Sequence, residues 1–148
     1  AWAQESLDGM YCSDYHSAHV KMVSDSSARK ISEAHITTWG NSMVRINSGR
    51  LSDLSANARS FAVNFSCASL ALGHLVKGAE SIYQYFDQVQ NADCWAAGKL
   101  FYEGNLGKAG IVALEEEINQ LSREQWSHFP GPVRVVSFND TCELKPLN

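Results

Sequence analysis

Apolar residues along this chain mostly fall three or four positions apart, the spacing that lines side chains along one face of an α-helix. Leu7, Tyr11, Tyr15, Ala18 and Met22 make a first such face. Ser24 and Asp25 follow as N-cap candidates, since their side-chain oxygens can accept from the free N–H groups of a first turn. Ala28, Ile31, His35, Trp39, Met43 and Ile46 then repeat at helical spacing until Asn47-Ser48-Gly49 supplies a stop. A longer stripe runs through Leu51, Leu54, Ala58, Phe61, Phe65, Ala68, Leu72 and Leu75, with Gly78 as its terminator. Ile82, Tyr83, Phe86 and Val89 predict a short helix stopping near Asn91, and Cys94 to Tyr102 another ending at Gly104. Ile111, Leu114, Ile118 and Leu121 form a last seam, with Glu115, Glu116 and Glu117 mostly off it.

The breaking residues support the same picture. Pro130, Pro132 and Pro146 all lie near the carboxyl end, and a proline inside a helix costs about 3 kcal/mol. Asp8-Gly9 is the one Asn-Gly or Asp-Gly dipeptide, and alternating apolar residues do not flank it. Val133, Val135 and Val136 suit an extended segment after Phe129. The expected fold is therefore all-α: a disulfide-stapled bundle of about five or six helices. It forms a single helical domain over residues 1–148, with 129–148 as an extended tail packed on the bundle.

Charge narrows the partners. The net charge is −4 and charged residues make up only 19% of the chain. Arg29-Lys30 is too sparse a basic patch to neutralise nucleic-acid phosphates or to hold an anionic membrane surface. No apolar run is long enough to span a bilayer. These features exclude nucleic acid and a membrane span from the expected partners.

Cys12, Cys67, Cys94 and Cys142 are widely spaced and contain no Cys-x-x-Cys pair. That pattern suits disulfides better than a zinc site or a redox motif. Four cysteines allow three connectivities; Cys12–Cys67 and Cys94–Cys142 is the favoured one, since it clamps the opening helix to the central one and the tail to the later helices. Asn64-Phe65-Ser66 and Asn139-Asp140-Thr141 are N-glycosylation sequons, which makes Asn64 and Asn139 candidate sites. The opening Ala1-Trp2-Ala3-Gln4 fits a mature chain whose signal peptide has gone. The expected location is secreted and extracellular.

Catalytic patterns are sparse. His16 and His19 would lie one turn apart on a helix with Cys12 a further turn back, a weak metal-site candidate lacking the further ligands zinc wants. The expected metal and cofactor content is none. His35 sits on an apolar face and reads as a core residue, and it is too far from His74 in the chain for the paired histidines of an oxygen-binding globin. Glu115, Glu116 and Glu117 diverge on a helix and read as a solvated face. Gly104, Gly107 and Gly110 lack the strand of a phosphate loop. No nucleophile stands out, because disulfides use every cysteine.

The aromatic residues carry more information. Trp39, Phe61, Phe65, Tyr83 and Phe86 could line a cavity between helices, the usual ligand position in a bundle. Tyr83, Tyr85 and Phe86 cannot all face inward, and Tyr85 is the one expected to be exposed. The functional expectation is a secreted, non-enzymatic interaction protein that binds, or binds and inhibits, an extracellular protein partner. The alternative is a carrier of a small apolar, lipid-like ligand held in that cavity.

Overall fold

The amino-terminal part of the chain, which residue spacing assigns to helices, forms a sheet. The computed structural model describes residues 11–51, 53–104 and 106–144; Leu7, Asp8-Gly9 and Pro146 lie outside them. Three strands, β1 (Lys21–Ser24), β2 (Ser32–Ile36) and β3 (Ser42–Ile46), lie in the order β1-β3-β2. β1 runs parallel to β3, with Val23 opposite Arg45, and β2 runs antiparallel to it, with Ala34 opposite Val44. The fold is thus mixed α/β, which corrects the all-α expectation.

The physical reason is a two-residue alternation concealed by serine. In β3, Ser42, Val44 and Ile46 are buried while Met43 and Arg45 are half-exposed. A half-buried strand shows this period, but two of the buried sheet positions are polar. Ser32 donates its hydroxyl to the Ala62 carbonyl and shares a hydrogen bond with the Ser66 hydroxyl, both at 2.7 Å. Ser42 donates to Asp14 at 2.7 Å. The sheet therefore meets its neighbours through satisfied hydroxyls as well as hydrocarbon.

The β2–β3 turn closes through Thr37, whose N–H donates to the Asn41 carbonyl and whose side-chain oxygen accepts from the Asn41 N–H. Gly40 takes the left-handed φ of 85° that the turn requires. Trp39 projects from this tip and is 90% exposed.

Helices cover the sheet. After a single turn, α1 (Ser48–Leu51), the helix α2 (Ala56–Ala71) starts at Ser55, whose hydroxyl caps the Ala58 N–H. α2 packs against β2, β3 and the longest helix, α4 (Ile82–Tyr102). The apolar stripe of α2 stops before its predicted end, because Gly73 at φ 73° turns the chain into the single-turn α3 (His74–Lys77). Leu72 and Leu75 are consequently exposed. α4, conversely, runs unbroken through Asn91, where two short helices are expected. Asparagine lowers helix propensity by only a few tenths of a kcal/mol, less than the packing of Val89, Ala92, Ala96 and Ala97 on either side supplies.

α5 (Lys108–Asn119) buries Ile111, Leu114 and Ile118 as the seam predicts. α6 (Arg123–His128) opens with a capping box formed by Ser122 and Gln125. An extended segment from Phe129 then leads to the single turn α7 (Phe138–Thr141). Phe61 of α2 is fully buried between Phe129, with ring centroids 6.2 Å apart, and Phe138, at 5.5 Å.

Two disulfides close the structure. Cys12 joins Cys67 and Cys94 joins Cys142, with Cα separations of 6.1 and 5.3 Å. Such bonds persist in oxidising surroundings. Among the described residues no helix is long and apolar enough to cross a membrane.

Candidate functional site

The first two turns of α4 are held firmly by their backbone while their side chains stand in solvent. The Ser81 hydroxyl accepts from the Gln84 N–H, and the Gln84 side-chain oxygen accepts from the Glu80 N–H at 2.6 Å. Gln88 donates from its amide to the Gly78 carbonyl at 2.7 Å. These bonds fix the start of the helix without covering it. Ile82, Tyr83, Tyr85 and Phe86 are 63, 82, 42 and 46% exposed. The Tyr85 and Phe86 rings pack edge to face at 5.6 Å, and Leu75 and Val76 on α3 are also exposed. Burial on α4 begins at Val89 and continues through Ala92, Asp93, Ala96, Ala97 and Leu100.

Open depressions flank this projecting end. One of about 360 Å³ has Phe65, Leu75, Tyr85 and Val89 among its walls. A smaller one of about 190 Å³ lies between Phe86, Val135 and Phe138. A longer groove of about 660 Å³ follows another stripe of α4, through Gln84, Gln88, Asn91, Trp95 and Tyr102. His74 borders both this groove and the Phe65 depression, and partial burial holds its imidazole below the ordinary range, with Lys77 adding to the effect.

The predicted ligand-lining residues are placed apart. Phe65 and Phe86 border different depressions, Phe61 is in the core, and Trp39 and Tyr83 are the most exposed aromatics among the described residues, at 90 and 82%. Tyr85 is exposed as expected, and Tyr83 and Phe86 are exposed with it. Gly73 and Gly78, both at left-handed φ of 73° and 68°, turn the chain between α2 and α4.

The histidine cluster also departs from its helical reading. His16 and His19 sit in the loop closed by the Ser13–His19 bridge, not on a helix, and both are exposed. His16 packs on Tyr15 and His19 on Tyr11. Asp14 organises this loop by accepting from the backbone N–H groups of His16 and Ala18, each at 2.9 Å. The Ser42 hydroxyl, with those N–H groups, holds the Asp14 carboxyl below its usual range against the opposing effect of desolvation. Among the described residues no group of three or more His, Cys, Asp or Glu side chains is placed to hold a metal ion. His35 is half-buried in β2.

Two of the three consecutive glutamates act structurally, where a solvated face is expected. Glu117 accepts from the Ser55 backbone and hydroxyl, and Glu115 accepts from the Phe138 N–H at 2.7 Å. Glu116 is exposed.

Sequence reasoning missed one pair altogether. Asp93 and Arg134 form a bidentate ion pair, with nitrogen–oxygen distances of 2.8 and 2.7 Å and both side chains 9% exposed. The remaining Arg134 nitrogen donates to the carbonyls of Pro130 and Pro132. The guanidinium also lies over the rings of Phe65 and Trp126, 4.8 and 5.4 Å from their centroids. Gly131, at φ 83°, leaves room for it: a Cβ there would come within 2.7 Å of the guanidinium. The two residues are 41 apart in the chain, so no local pattern announces the contact. Comparisons of the chain with protein-family models, with curated protein sequences and with solved structures found no match.

Proposed function

We propose that this is a secreted, non-enzymatic binding protein that docks an extracellular protein partner through the projecting end of α4. One observation carries the reading: Ile82, Tyr83, Tyr85 and Phe86 expose large apolar surfaces on a helix whose backbone is already fixed. Burying one such side chain in a partner contributes about 1.5–3 kcal/mol, and Tyr is enriched among the residues that dominate interface energies. A pre-ordered helix end loses little further freedom on binding. The depressions beside Phe65 and Phe86 give a partner's side chains somewhere to enter. Secretion is supported by the two disulfides. The non-enzymatic part is supported by the engagement of Asp14, Asp93, Glu115 and Glu117 in bonds that hold the fold.

The test is a surface-binding screen against purified extracellular proteases, complement components and matrix proteins, with inhibition read in parallel for the enzymes. A genuine partner is expected to bind about tenfold or more weakly to the Tyr83→Ser/Phe86→Ser variant, while Trp39→Ser binds as the parent does. Thermal melting of the double variant should stay near the parent's, since both sites face solvent. Equal binding by parent and double variant would remove the α4 end from the function. Lipid co-purifying with the protein in native mass spectrometry would favour a carrier instead.

A further inference from the structure

We propose that Asn139, and not Asn64, is a site of N-linked glycosylation. Both residues stand in sequons, but the fold treats them oppositely. Asn64 is 5% exposed within α2, and its amide donates to the Ser60 carbonyl at 2.9 Å. Val63, Phe65 and Ser66 beside it are buried too, and the sequon hydroxyl of Ser66 is bonded to Ser32 of the sheet. A sugar on the Asn64 amide would enter the contact between α2 and its neighbours, so a chain carrying it could not close this core.

Asn139 lies on the single turn α7, and Asn139, Asp140 and Thr141 are all exposed. The residues on either side, Phe138 and Cys142, are buried and anchor the turn. A glycan on Asn139 therefore leaves the anchors in place and points into solvent. In the folded chain the Thr141 hydroxyl donates to the Ser137 carbonyl at 2.8 Å, and Cys142 next to it is bonded to Cys94. The sequon must be extended for its hydroxyl to assist the asparagine, so transfer precedes the docking of α7. The donor class is a lipid-diphosphate-linked oligosaccharide. The Asn139 amide nitrogen forms a bond to the anomeric carbon of the first N-acetylglucosamine and loses one proton. The carbon–oxygen bond to the diphosphate breaks, and the departing diphosphate keeps the electron pair.

This inference rests on the secretory part of the proposed function and is independent of the α4 docking surface. The experiment supplies the route: the chain is expressed behind a secretion signal in a eukaryotic host, and the secreted protein is treated with peptide N-glycosidase in heavy-oxygen water and mapped by mass spectrometry. The expected result is an isotope-labelled aspartate at position 139, an unmodified Asn64, and a gel shift lost in both N139Q and T141A but kept in T141S. Unmodified Asn139 in the secreted protein, or a labelled aspartate at position 64, would overturn it. Neither outcome changes what the Tyr83 and Phe86 variants report about partner binding.

Discussion

Replacing Arg134 by Met is expected to cost about 3–5 kcal/mol of folding stability, read from urea unfolding at neutral pH. The substitution keeps hydrocarbon over Phe65 and Trp126 but removes the cation facing Asp93. A carboxylate would then be left buried without its partner, and the Pro130 and Pro132 carbonyls would each lose a donor. Burial already outweighs the guanidinium at Asp93, so its carboxyl titrates above the usual carboxylate range. A group with a raised folded pKa contributes stability that is fully present below the unfolded value and is lost as pH rises through the folded value. Removing Arg134 raises that folded value further. The deficit of the variant should therefore be small in acid and grow toward neutral pH, and Asp93→Asn added to Arg134→Met should recover part of it. A deficit independent of pH would mean that the loss comes from the proline carbonyls and ring packing, not from the stranded carboxylate.

The second large effect is expected at the buried disulfide. Changing Cys12 and Cys67 together to Ala should cost about 4 kcal/mol in the chain-entropy account, for a sequence separation of 55. The same change at Cys94 and Cys142, separated by 48, carries nearly the same entropic cost. Packing separates the two pairs. Cys12 and Cys67 are 2 and 1% exposed, whereas Cys94 is half-buried beside the open groove along α4. Losing the first pair thus also leaves a void lined by core atoms. Urea midpoints of the two paired variants make the comparison, and a larger loss at Cys94 and Cys142 would contradict the packing argument.

Where core residues were hydrocarbon and the period was unopposed, the sequence was readable. Ile111, Leu114 and Ile118 are buried as their spacing implies, and so are Ala58, Phe61, Phe65 and Ala68. The amino-terminal part misled because Ile31, His35, Trp39, Met43 and Ile46 happen to satisfy a helical period, while the true alternation of β3 begins at a buried serine. Ser32 and Ser42 look like surface residues until the partners that satisfy their hydroxyls are known, and those partners lie on other elements. The clearest local clue was Thr37-Thr38-Trp39-Gly40-Asn41, a turn sequence between apolar runs. For the α4 surface, the aromatic density at Tyr83, Tyr85 and Phe86 was legible. Its exposure was not, because helical spacing alone does not say which face of α4 its neighbours cover.

The order of the two cross-links has a bearing on biosynthesis. The loop closed by Cys12 and Cys67 ends before the one closed by Cys94 and Cys142 begins. The first loop already holds all three strands and most of α2, the helix that covers them. In oxidising surroundings the first knot of sulfur can therefore be tied independently of the second, with no need to reshuffle it when the later pair closes.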